Sequence, residues 1–241
     1  MRNAYQRLKL YFKINWTKTI YFNLKKFPLH IALKFPVFFY GKVKFTSLTG
    51  SIIIDAPITT GMIGFGQPYE MTTVSKGIAE FFLDGTIFFK GFAQFGKDYF
   101  IYIAKNASAE FGNMSSMASS GKIICTNNIV LGNYARLGSE SQIIDTNFHE
   151  MINTDTQEIY PMTAPIEIGS YNFIGNRVSI MSKTITPDFC TIASNSVCNK
   201  DYLHLGSNIL IGGIPSKLLK TDISRNWVAE QHILEKYLVL Y

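Results

Sequence analysis

From Ile168 the chain runs in sixes: IGSYNF, IGNRVS, IMSKTI, TPDFCT, IASNSV and CNKDYL. The first position of these hexads is Ile168, Ile174, Ile180, Thr186, Ile192 and Cys198. The second is small in several of them (Gly169, Gly175, Ala193), and the fifth is small or β-branched in most (Val178, Thr184, Ser196). A period of six matches neither the roughly 3.6 of an amphipathic helix nor the alternation of a half-buried strand. It suits short flat strands joined by tight turns, with one side chain per hexad pointing into a narrow axis. Three hexads then close a triangular coil, and coils stack at about 4.8 Å, the spacing of hydrogen-bonded strands.

Three shorter blocks lie upstream, each in its own phase: Phe89, Phe95 and Ile101; Phe111, Met117 and Ile123; Leu131, Leu137 and Ile143. An apolar residue followed by glycine recurs in these phases, as in Phe95-Gly96, Phe111-Gly112, Leu131-Gly132, Leu137-Gly138, Ile168-Gly169 and Ile174-Gly175. Glycine there suits a coil corner that needs a positive φ. The phase breaks are expected to be loops pushed out of the coil. The sharpest break is at 149, the next slot after Ile143, where His149 stands in place of an aliphatic residue. The polar run EMINTDTQEIYPMTAP follows before the spacing resumes at Ile168.

The expected fold is therefore all-β, a parallel β-helix over residues 46–222 with a loop inserted at 150–166. A solenoid has open ends that need covers. Residues 1–45 are assigned to one cap. At the other end Trp227, Ile233, Leu234 and Leu238 fall at helical spacing, which predicts a C-terminal helix within 223–241.

Hydrophobic residues make up 47% of the 241 and charged residues 17%, so the chain buries a substantial core. Its net charge of +6 favours anionic partners without choosing among them. Cys125, Cys190 and Cys198 form an odd set with no CxxC pair, which argues against a disulfide framework and for a reducing, cytoplasmic setting. The basic start, MRNAYQRLKLYFKINW, lacks the apolar core of a secretory signal. The stretch FPLHIALKFPVFFY is interrupted by Lys34 and Pro36 and is shorter than the roughly 20 residues of a bilayer span. It reads as edge strands packed on the core. A peripheral membrane-facing surface, aided by Lys25, Lys26, Lys42 and Lys44, is the second reading. The remaining basic residues are scattered and form no nucleic-acid module.

The segments IIDTNFHEM, IEIGSYNFIGNRVSIMSKTITPDFCTIASNSVCNKD and LIGGIPSKLLK, in that order, resemble the hexapeptide-repeat acyltransferases. The closer likeness is to the sugar O-acetyltransferase branch, which acts in surface-polysaccharide and maltose or galactoside acetylation. The resemblance implies a left-handed β-helix, acetyl-CoA as acyl donor, a saccharide acceptor in capsular or surface-polysaccharide synthesis, and a homotrimer with grooves between adjacent prisms. It differs from the usual pattern in reading Ala193-Ser194-Asn195-Ser196 for a Gly-Ala-Gly-Ser run, and Gly213-Ile214-Pro215-Ser216-Lys217 for Gly-Asn-Pro-Ala-Lys.

Under the resemblance His149 is the candidate general base, since an imidazole with an ordinary pKa near 6.5 suits removal of a hydroxyl proton. Alternation would put Asp145, Asn147 and His149 on one face, where Asp145 orients the imidazole and Asn147 holds the acceptor. Pro215 is expected at the adenine end of the donor, Lys217 and Lys183 near its phosphates, and Gly175 and Ala193 along its pantetheine arm. A metal is not expected, because His30 and His232 fall in the terminal segments and His204 after the last clear hexad. Two alternatives stay open: N-acylation of a nucleotide-linked amino sugar, and a β-helix scaffold without catalysis.

Overall fold

The computed structural model describes residues 10–67 and 74–238. Residues 1–9 of the expected cap and 239–241 of the expected helix lie outside them. Three sheets form the faces of a triangular prism, and the chain passes through one strand of each per coil, a left-handed parallel β-helix. The first coil consists of Val37–Phe39, Val43–Leu48 and Ser51–Ile54. The prism thus begins at residue 37, ahead of the boundary at 46 expected from the hexads.

The first sheet stacks Phe39, Phe65, Phe95, Met117, Leu137, Ile174, Ile192 and Ile211 in one column, each in register with the next. On the second sheet Phe81, Ile101, Ile123, Ile143, Ile180 and Cys198 do the same. Phe89, Phe111, Leu131, Ile168 and Thr186 line the third. Every first-position residue of the hexads lies in one of these buried columns. Each three-hexad block upstream is one coil.

The glycines work differently from the expectation. None of those following the apolar position has a positive φ. Their missing Cβ makes room for the next coil: at Gly132 it would lie 2.5 Å from Ser170 N, and at Gly169 2.6 Å from the Pro187 carbonyl carbon. The left-handed backbone falls on the fourth position of the hexads instead, at Met114, Ser120, Tyr134, Glu140, Tyr171, Arg177, Lys183, Phe189 and Asn195. Side chains there project outward at the corners. Glycine in this repeat answers crowding, not torsion.

Of the stretch read as edge strands, Val37–Phe39 is the edge strand of the first sheet, whereas Leu29–Ala32 is helical. Helix α1, Trp16–Lys26, is capped by the Asn15 side chain, and α2, Leu29–Ala32, follows it. Phe22 closes the aromatic end of the core, with its ring 4.8 Å from Phe39 and 5.8 Å from Phe81 between centroids. Burying such a ring is worth about 1.5–3 kcal/mol. Asn23 donates to Thr19 O and Val37 O, and the Thr19 hydroxyl accepts the Phe39 N–H, which ties the helix to the first strand.

At the far end Ile209–Gly213 joins the first sheet and Ser216–Lys220 folds back on it antiparallel. Helix α3, Trp227–Leu238, then packs along one corner of the prism. There Tyr134, Tyr171 and Phe189 stack at 5.0 and 4.9 Å, and Trp227 lies edge-on to both tyrosines. No helix among the described residues is long and apolar enough to cross a membrane.

Candidate active site

The corner between the second and third sheets is where the coil opens. After Gln142–Ile144 the chain leaves the prism and returns only at Ile166–Ile168, a detour from 145 to 165. It starts five residues before the expected loop. Its stem is pinned by Asp145, which is fully buried. One carboxylate oxygen accepts the Thr126 N–H at 2.8 Å and the Thr126 hydroxyl at 2.9 Å. The other accepts the Asn127 N–H at 2.8 Å. These donors belong to the same corner one coil earlier.

Asp145 is therefore not on the face expected of it. The strand ends at Ile144, so alternation stops there, and the carboxylate turns inward to satisfy backbone donors that would otherwise be buried unpaired. Asn147 and His149 are both exposed. Both stand on the detour outside the coil, whereas Asp145 is buried within it.

Beyond Asp145 the stem is antiparallel. Thr146 pairs with Thr163, and the Asn147 N–H donates to Met162 O at 2.9 Å. Phe148 takes a left-handed conformation, φ 60°, with its N–H on the Thr146 hydroxyl at 2.9 Å. That reversal delivers His149 to the surface between stem and tip. The tip is a hairpin of Met151–Ile152 against Ile159–Tyr160. Its turn is closed by Asn153, whose side-chain oxygen accepts the Asp155 and Thr156 N–H groups. The hairpin side chains Met151, Ile152, Ile159 and Tyr160 are exposed, as is Phe148.

The residues expected to hold a donor are divided between two corners. Gly175 and Ala193 are successive steps of the corner between the first and second sheets, joined by the Gly175 N–H to Ile192 O and the Ala193 N–H to Ile211 O. The missing Cβ of Gly175 is filled by Ser194 N and Oγ, both at 2.7 Å, so its smallness serves coil stacking. Gly212 packs on the Ala193 methyl and pairs with Lys217, which extends this corner. Pro215 and Lys217 are exposed on the closing hairpin. Lys183 instead stands exposed on the corner that carries the detour, one coil beyond it.

Arg177 was not among the sequence candidates. It borders a cavity of about 240 Å³ on the Gly175 corner, with Lys76, Asp98, Ser139, Glu140 and Asn176, and faces the Glu140 carboxylate at 4.0 Å. Its guanidinium donates to Asn195 Oδ1 at 2.8 Å. Its signal in the sequence was the fourth hexad position, where the backbone throws side chains outward. Among the described residues no group of three His, Cys, Asp or Glu is placed to hold a metal ion.

No protein-family model matches the sequence, and no curated protein does. Two solved structures share its fold. One is the polySia specific acetyltransferase NeuO, 16% identical, with a TM-score of 0.53 over 81% of this chain and 79% of that one. The other is the polysialic acid O-acetyltransferase OatWY, 17% identical, with a TM-score of 0.50 over 81% of this chain and 95% of that one. At such identity the likeness establishes the shared architecture.

Proposed function

We propose that the protein is an O-acetyltransferase that moves an acetyl group from acetyl-CoA to a hydroxyl of a surface polysaccharide or its precursor. The observation that carries this reading is His149, held exposed where the coil opens. Of two proteins of the same fold, one is by name a polysialic acid O-acetyltransferase and the other a polySia specific acetyltransferase, which supports the acceptor class.

The chemistry asks little of the protein. The acceptor hydroxyl attacks the thioester carbonyl while His149 takes its proton; a C–O bond forms as the C–S bond breaks. The proton passes from the imidazolium to the departing thiolate, giving the free thiol of coenzyme A. Asn147 presents its amide to the acceptor beside His149. Asp145 acts through the loop stem, as a positioning residue. Lys217, Pro215 and Arg177 line the donor corner, where cations attract the donor's phosphates.

His149 and Lys217 stand on different corners, so one chain does not assemble both halves of the site. A homotrimer does, with the detour of one chain laid against the Gly175–Ala193 corner of its neighbour. The exposed apolar side chains of the hairpin suit that contact.

The test is a calorimetric titration of acetyl-CoA into the protein, followed by thiol release in the presence of a panel of acidic and neutral polysaccharides. Binding with acceptor-dependent release is the expected result. Folded, assembled protein that binds no acetyl-CoA overturns the reading.

A further inference from the structure

Charge is distributed very unevenly along this chain. The first 54 residues hold ten Lys and Arg and no Asp or Glu, whereas the remaining residues hold thirteen against seventeen. Eight of the ten precede residue 37, where the prism begins, and Lys42 and Lys44 belong to its first coil, so a strongly basic cap sits on a prism of nearly balanced charge. The described part of that cap, residues 10–34, consists of α1 and α2 with their flanks over the aromatic end of the core.

The cap is also apolar on its outer side. Helix α1 turns Thr19, Phe22 and Asn23 inward. Trp16, Ile20 and Leu24, each four residues apart, are exposed on the other side together with Tyr21. Phe12 before the helix is 80% exposed, and Leu29 and Leu33 of α2 are 64% and 62% exposed. Lys13, Lys25 and Lys34 stand exposed among them, and none of the three forms an ion pair among the described residues.

We infer that this end of the prism docks on the surface of an anionic lipid bilayer. Aromatic and aliphatic side chains interleaved with lysines match the boundary between headgroups and acyl chains, where Trp and Tyr sit at the interface and lysines meet anionic headgroups. Charge decides between occupants. A second copy would bring one basic face against another, and a nucleic acid would engage the lysines without using Phe12, Leu24, Leu29 and Leu33. Phe22 fixes the cap to the coil end, so docking stands the prism on the membrane. The detour carrying His149 leaves the fifth strand of the seven in its sheet. Four coil intervals of about 4.8 Å put it roughly 20 Å beyond the first coil, with the cap between that coil and the membrane. The inference is independent of the acyl-transfer reading.

The test is co-sedimentation of the full chain with phosphatidylcholine vesicles, with and without about one-third phosphatidylglycerol, read beside tryptophan fluorescence. Trp16 is exposed and Trp227 buried, so only Trp16 changes environment on docking. The expected result is binding to the anionic vesicles alone, with a blue shift that disappears in Trp16→Phe. Binding weakens at least about tenfold in the double variant Lys25→Glu/Lys34→Glu, whose side chains are exposed and whose fold circular dichroism checks. Absence of binding to anionic vesicles at low salt overturns the proposal. So does binding unaffected by the charge reversals, or equal affinity for a polyanion such as heparin without a blue shift. A concentration-dependent dimer abolished by Leu24→Asp would assign the face to a second copy instead.

Discussion

The Asp145 carboxylate lies across the backbone of Thr126 on the preceding coil, taking its N–H at 2.8 Å and its hydroxyl at 2.9 Å. This pair is where the prism lets the chain go. The detour that carries His149 begins at a buried anchor, so the exposed histidine inherits a fixed starting point.

Replacing that anchor leaves buried N–H groups without an acceptor. Asp145→Ala is expected to cost about 2–3 kcal/mol, since hydrogen bonds to a charged group are among the stronger ones. For a chain of this size the melting temperature falls by about 5–10 °C. Thermal denaturation followed by circular dichroism checks it. A melting temperature equal to wild type would remove the anchoring role.

Gly175→Ala is expected to act on stability before it acts on any ligand. The new methyl meets Ser194 N and Oγ at 2.7 Å, so neighbouring coils must part. Overpacking of this kind costs about 1–3 kcal/mol. Gly77→Ala is the control, because nothing lies within 4 Å of its Cβ position, and it should stay within about 0.5 kcal/mol of wild type. Urea denaturation of the two variants separates them.

Much of this was legible from the hexads, because one inward side chain per strand leaves a strict period of six. The columns through Phe89, Leu131 and Ile168 follow from it directly. The coils ahead of Phe89 were not legible. Between Phe39 and Phe65 the chain wanders through loops of uneven length, and the aromatic column there is apparent only once register is known. The role of Asp145 was hidden for another reason. Its partners, Thr126 and Asn127, lie about twenty residues upstream and one coil away, and local alternation says nothing of a neighbouring coil. Within FPLHIALKFPVFFY the edge strand Val37–Phe39 was legible, but the helix Leu29–Ala32 is four residues long, too short to show a helical period.

The three thiols give a prediction about alkali. Burial pushes Cys190 up to about 12, and raises Cys125, beside the Asp145 carboxylate, and Cys198 as well. In the unfolded chain they ionise near the ordinary value of 9.0. The unfolded state then binds fewer protons than the folded one, so stability falls as pH rises from about 9 toward 12. Tyr202, raised by burial to about 12, adds to the same loss from near 10.0 upward. Denaturation midpoints measured between pH 8 and pH 11 test this; a flat profile would contradict it. Below pH 8 the folded protein should leave thiol reagents unreacted, which keeps the coenzyme-release assay free of background.

Self-association should depend on the hairpin. Ile152 and Ile159 face each other across it and are 49% and 60% exposed. Changing both to Asn removes apolar area without touching the prism. The expected outcome is loss of the proposed trimer in light scattering, with the monomer still folded. A wild-type protein that is already monomeric at assay concentration would count against the shared site.

In the proposed reaction His149 is the residue on which the chemistry turns, and its exposure makes the prediction clean. The side chain is outside the core, and its imidazole makes no hydrogen bond among the described residues, so removing it should leave the fold alone. His149→Ala and His149→Asn are expected to melt within about 1–2 °C of wild type, as surface changes do. Turnover should fall by about 10²- to 10⁴-fold, the usual worth of a positioned general base, while acetyl-CoA affinity stays within about twofold. Asp145→Ala separates chemistry from position: it should lower turnover and stability together, whereas the His149 variants lower turnover alone. Equal turnover by His149→Ala and wild type, with acetyl-CoA bound by both, would move the base elsewhere on the detour.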